Sequence, residues 1–170
     1  MRHALTTCAV AAGMLASAST PAAENRGYKR LAADDASWES ASVRGALRGA
    51  QRRLANPGCQ QVLRDFSDAS GRTLRQNLDG LGQTPEGYLD MLIFYDAAGS
   101  GRCADSNILA MTSPGNRAIF VCGAQFAKKG MTDRRLTEII LIHEALHSLG
   151  LGESPPSPSA ITAQVMLRCR

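Results

Sequence analysis

Histidine is scarce in this chain, three among 170 residues, and two of the three stand four residues apart at His143 and His147. Long apolar runs are equally scarce. Beyond the first residues no segment approaches the ~20 apolar residues needed to cross a bilayer, so no membrane span is expected. There is no CxxC pair, which argues against a cysteine-built zinc site. Charge of one sign is not in excess: 19 basic against 15 acidic residues gives a formal +4, which identifies no partner. Arg44, Arg48 and Arg52 do form a basic stripe at helical spacing, but without interleaved aromatics it reads as a solvated face, and no nucleic-acid partner is expected. No internal repeat or domain-sized linker is visible. With 44% hydrophobic residues the chain is long enough for one real core and too short for two.

What the chain does have begins at its start. Met1-Arg2-His3 is a short positive segment, Ala4 to Leu15 is apolar, and Ala16-Ser17-Ala18 or Pro21-Ala22-Ala23 supplies small residues for cleavage. Residues 1–23 therefore read as a secretory signal peptide and 24–170 as the mature domain, secreted or periplasmic. Removing Cys8 leaves Cys59, Cys103, Cys122 and Cys169, an even number suited to two disulfides in an oxidising compartment. Three connectivities are possible. The favoured one joins Cys103 to Cys122, closing a local segment, and Cys59 to Cys169, tying the end of the chain to its beginning.

The patterning predicts helices in the first half and a small sheet after it. Val43, Ala46, Leu47, Ala50 and Leu54 recur at helical spacing behind Asp34 or Asp35 as cap, and Asn56-Pro57-Gly58 stops the run. Residues 24–33 read as a loose leader. A second helix is expected through Cys59, Val62, Leu63 and Phe66, and a short third one around Leu74 and Leu78. Thr84 to Gly87 reads as a turn, Tyr88 to Tyr95 as a strand and Asp96 to Ser106 as a loop. Ile108 to Thr112 and Arg117 to Cys122 flank Ser113-Pro114-Gly115-Asn116 and form a candidate hairpin. Thr132 or Asp133 caps a helix to Leu149, ended by Gly150, and Ser157-Pro158 opens a last short helix.

The chemistry concentrates in the run from Leu141 to Glu153. His143, Glu144 and His147 spell HExxH, and on a helix positions i and i+4 share a face, so two neutral imidazoles can hold one Zn²⁺. Glu144 then serves as general base toward a metal-activated water. A catalytic zinc needs a third protein ligand. Glu153 is the first choice, since Gly150 lets the chain leave the helix and a carboxylate three residues later can swing back. An exposed loop glutamate is the bland alternative for that position. Glu138 is the runner-up, turned away from the metal face by five helical steps, and Asp133 and Asp105 stay open.

This run resembles the zincin superfamily, and its HExxHxxGxxE layout is similar to the metzincin pattern at His143, Glu144, His147 and Gly150. Glu153 stands where metzincins place a histidine or aspartate. Met166 is the only methionine after the motif, and its place in a predicted helix makes it a core residue rather than the metzincin methionine turn. The Cys103–Cys122 segment ahead of the motif helix also resembles deuterolysin-like secreted zincins, without their downstream aspartate motif. The resemblance is specific over about 11 residues and suggestive over roughly the last 85. It implies an α+β, zincin-like single domain with a helical N-terminal half, a small mixed sheet with an edge hairpin, an HExxH active-site helix and a short C-terminal helix. It implies a zinc metallopeptidase acting on a peptide or protein substrate, expected as a monomer, with Arg117 to Val121 as the substrate-pairing edge strand. Arg168, Arg117 and Tyr95 are candidates for steadying the oxyanion. Two alternatives stand beside it, an exported module whose zinc is purely structural and an amidase acting on cell-wall peptides.

Overall fold

The computed structural model describes residues 28–170. The expected signal peptide at residues 1–23, with His3 and Cys8, lies outside the described residues. The described part is α+β, with helices packed on a four-stranded mixed sheet.

The first strand, β1 (Lys29–Arg30), falls in the expected leader and pairs antiparallel with β2 (Ile93–Asp96). Helix α1 spans Trp38–Leu54, and its cap is Ser37, whose hydroxyl accepts from the Ser40 N–H. Neither Asp34 nor Asp35, the expected caps, takes that place; Asp35 instead accepts from the Ser37 N–H and the Ser40 hydroxyl, fixing the approach to the helix. Arg44 of the basic stripe donates to the Ala32 and Asp35 carbonyls, so this guanidinium fastens the incoming chain to α1. The expected second helix is broken into α2 (Pro57–Gln60) and α3 (Val62–Asp65), and α4 (Leu74–Gly80) follows with a Thr73/Gln76 capping box. Thr84-Pro85-Glu86-Gly87 opens a further short helix, α5 (Pro85–Tyr88), and a 3-10 turn at Leu89–Met91 runs on from it. The apolar run from Tyr88 is therefore strand only from Ile93. Its first half is buried as helix, a choice that an unbroken apolar run does not reveal.

The hairpin forms as β3 (Ala110–Met111) and β4 (Ala118–Val121), antiparallel about the Ser113–Asn116 turn. Strand order is β1-β2-β4-β3, with β2 and β4 parallel. The segment expected as the edge strand, residues 117–121, thus supplies the inner strand β4; the edge on this side is β3. Along β2 and β4, alternate residues Phe94, Ile119 and Val121 enter the main core. Tyr95 and Phe120 stack on the opposite face, where Tyr28 meets Phe120 edge-on. Helix α6 (Gly123–Thr132) was not expected from the sequence; its buried Phe126 and Ala127 give too short an apolar signature.

Helix α7 (Arg134–Ser148), capped by the Asp133 carboxylate on the Leu136 N–H, is the centre of the molecule. Its buried residues include Ile139, Leu141, Ile142 and Leu146, but also Glu138, His143, Glu144, His147 and Ser148. Each apolar side chain contributes roughly 1.5–3 kcal/mol by burial, while each polar one costs stability unless it finds a partner. Glu138 finds Arg53 at 2.7 Å and Arg134 at 4.0 Å. Gly49 on α1 makes room for that pairing, since a Cβ there would overlap the Glu138 carboxyl. The last helix, α8 (Pro158–Arg168), starts at Ser157 and packs on α7 through the buried Ile161 and Val165. Two disulfides join Cys103 to Cys122 and Cys59 to Cys169, the favoured connectivity.

Candidate metal centre

Helical spacing puts His143 and His147 on one face of α7, four residues and just over one turn apart. The path of the chain beyond them is set by how the helix stops. Gly150 takes φ +111°, the Gly150 N–H donates to the His147 carbonyl at 2.8 Å, and the Leu151 N–H donates to the Leu146 carbonyl at 3.1 Å. This is a Schellman termination, closed by the apolar pair Leu146 and Leu151, both buried. It reverses the chain so that the Leu151 carbonyl accepts from His147 Nδ1–H at 2.7 Å. Two residues on, Glu153 Oε1 lies 3.2 Å from His147 Nε2.

A carbonyl can only accept, so Nδ1 of His147 carries a proton, and in the neutral ring Nε2 presents a lone pair. That lone pair faces Nε2 of His143 at 2.9 Å. His143 is held from its other side by the Thr162 hydroxyl on α8, 3.0 Å from Nδ1. Two ring nitrogens at this distance share either one proton or one cation. A cation fits the donor set: one nitrogen from each of His143 and His147 and one oxygen of Glu153 all lie within 4.8 Å of one another. Two imidazole nitrogens bound tetrahedrally at zinc distances stand about 3.3 Å apart, within a few tenths of an ångström of the observed spacing. The two histidines are almost fully buried, whereas Glu153 is half exposed, so the cluster opens to solvent on the glutamate side. Burial, and secondarily the neighbouring His147, pushes the His143 pKa down to about 4, so neither proton competition nor charge keeps the ring from a metal near neutral pH.

Glu144 points off the same helix into the space between α7 and the hairpin. Its carboxyl faces the Thr112 backbone N–H, which favours the ionised form, while Oε2 is buried with no hydrogen-bond partner among the described residues. Burial, reinforced by the Glu153 charge, pushes its pKa up to about 8. Thr112 directly follows edge strand β3. The Cys122 N–H donates to the Leu109 carbonyl, so the antiparallel alternation turns the backbone groups of Ala110 and Thr112 outward, along the free edge. Among the described residues, a strand edge without a further strand beside it thus runs next to an unsatisfied carboxyl. The Ser113–Asn116 turn is seated on the helix as well, with the Gly115 N–H donating to the His147 carbonyl at 2.9 Å.

The other sequence candidates are occupied elsewhere. Glu138 is committed to Arg53, Asp133 caps α7, and Asp105 accepts from Asn107 in its own loop. Met166, expected in the core, is instead 37% exposed on α8. Among the oxyanion candidates, Arg168 is paired with Asp65 at 2.7 Å and Tyr95 is stacked on Phe120, while Arg117 lies beside Tyr88. Thr162, the Leu151 carbonyl and the Thr112 N–H went unrecognised in the sequence. Two are main-chain groups, which no side-chain pattern marks, and Thr162 is one hydroxyl on a helix whose orientation a sequence does not carry. No family model matches the chain, and neither curated proteins nor solved structures give a match.

Proposed function

We propose that this protein is an exported zinc-dependent peptidase of zincin-like architecture, with His143, His147 and Glu153 as metal ligands and Glu144 as the general base. The observation that carries this reading is the Glu144 carboxyl, buried and, among the described residues, half unpartnered beside three converging donors and an open strand edge. A zinc held only for stability has no use for such a group, and a structural site normally closes with four protein ligands, whereas three converge among the described residues.

Bound zinc supplies Lewis acidity, polarising the scissile carbonyl and making water acidic enough to react near neutral pH. The protein residues do the remainder. Glu144, ionised beside the bound cation, would take a proton from water on its carboxylate and return it to the departing amide nitrogen. The Leu151 carbonyl and Thr162 hold the two imidazoles in register, and the outward N–H and C=O of Ala110 offer a substrate backbone one more strand to pair with. Two disulfides suit the secreted or periplasmic setting.

The test is hydrolysis of an unfolded protein substrate by the purified chain, with and without a chelator. Activity is expected to vanish on chelation and return with zinc, and Glu144→Gln is expected to keep its zinc while losing about 10²–10⁴-fold in rate. Hydrolysis indifferent to chelation, or a fully active Glu144→Gln, would overturn the proposal. A panel of cell-wall peptides in the same assay separates a peptidase of broad range from a cell-wall amidase.

A further inference from the structure

The two candidate ligand histidines are oriented by different kinds of group. His147 is held by the Leu151 carbonyl, part of the same turn that ends α7, so its orientation is built into the local backbone. His143 is held by a side chain from another element, the Thr162 hydroxyl of α8, nineteen residues away. That helix is itself pinned along its length. Ile161 and Val165 are buried against α7, Gln164 and Arg168 both reach Asp65 on α3, and Cys169 closes the disulfide to Cys59 beside an Arg53 hydrogen bond to its carbonyl. Thr162 therefore does not reach His143 by chance of a mobile tail; the whole C-terminal helix fixes its position.

Neutral His143 can hold a cation through Nε2 only if its proton is on Nδ1, and among the described residues the Thr162 hydroxyl 3.0 Å away is the acceptor for that proton. The same hydroxyl, turned to donate, favours the opposite tautomer, in which Nε2–H is given to His147 across 2.9 Å. Being both donor and acceptor, Thr162 lets the histidine pair exist in either state, and a metal selects one of them. We propose that Thr162 is the positioning residue of the metal centre, setting the tautomer and ring plane of His143 and thereby linking metal affinity to the docking of α8. This inference rests on the reading of His143, His147 and Glu153 as a metal site.

Linkage makes the coupling reciprocal: whatever α8 contributes to holding the metal, the metal returns to holding α8. Measurements on the whole protein test both directions. In competition with a chromogenic chelator, Thr162→Val, which keeps shape but removes the hydroxyl, is expected to weaken zinc binding by about 10- to 100-fold, the usual effect of removing a hydrogen-bond partner of a ligand histidine. Thr162→Ser, which restores the hydroxyl, is expected to recover most of that loss. With cobalt in place of zinc, the visible d–d bands of Thr162→Val should shift relative to wild type, and zinc should slow amide exchange in residues 158–168 of wild type more than of Thr162→Val. A residue needed only for packing would lower the stability of the metal-free protein and leave affinity and spectrum alone. Wild-type zinc affinity and an unchanged cobalt spectrum in Thr162→Val would overturn the inference while leaving the metal site standing. A wild-type protein that binds neither zinc nor cobalt would overturn the site itself.

Discussion

At the level of single residues, polar groups lie buried in a helix that is otherwise core. Glu138 and Glu144 lie six residues apart on α7 with the same 5% exposure, yet Arg53 neutralises the first, and among the described residues the second faces a backbone N–H and no cation. An ionised carboxyl in the second setting destabilises the metal-free fold. Its folded pKa, near 8, stands above the ordinary value of 4.5, so the penalty is absent below about pH 4.5, grows as the pH rises and is complete beyond about 8. Metal-free Glu144→Gln is therefore expected to melt with wild type near pH 4.5 and clearly above it at pH 8. Thermal melts in the presence of a chelator check this, and equal melting at pH 8 would mean that the carboxyl is better solvated than its burial implies. Glu144 is legible in the sequence, because HExxH fixes type and spacing together. The state of each carboxyl is not, since burial and partners come from α1 and the hairpin.

At the element scale, the decisive feature is the end of α7. A glycine after a periodic run marks a helix stop, and Gly150 with φ +111° takes that role. The sequence also suggests that the chain turns back toward the helix face carrying His143 and His147, and Glu153 Oε1 lies 3.2 Å from His147 Nε2. Replacing Gly150 by alanine forces a side chain into a backbone conformation that L residues rarely adopt, with a Cβ 3.2 Å from that of Asp68. Gly150→Ala is expected to cost about 1–3 kcal/mol in denaturant unfolding and to weaken zinc binding as well, because the same turn presents both the Leu151 carbonyl and Glu153. The hairpin was legible for a similar reason, proline and glycine marking its turn. Its place in the sheet was not: strand order depends on which apolar faces meet, so the strand at residues 118–121 is inner and β3 is the edge. Helix α6 and the helical half of the Tyr88 run escape a reading of the sequence because short buried segments carry no distinctive period.

At the scale of the whole molecule, the candidate metal centre draws on parts of the chain that only the tertiary fold assembles: α7 for the motif, the hairpin for Thr112, and α8 for Thr162. The Cys59–Cys169 disulfide closes the α8 side of that assembly across 110 residues, whereas Cys103–Cys122 spans 19. Chain-entropy reasoning assigns about 5 kcal/mol to the longer loop and about 3 kcal/mol to the shorter. Replacing Cys59 and Cys169 together by alanine is thus expected to lower the denaturation midpoint more than replacing Cys103 and Cys122, and to reduce zinc affinity by loosening α8. The central claim, that His143, His147 and Glu153 hold a zinc ion with a position left for chemistry, is tested most directly by zinc-edge X-ray absorption on the zinc-loaded protein. The account predicts one zinc per chain, two imidazole nitrogens at about 2.0–2.1 Å and oxygen completing the shell, with one protein oxygen lost in Glu153→Gln. A protein that retains no zinc, or a shell without two imidazoles, would contradict it.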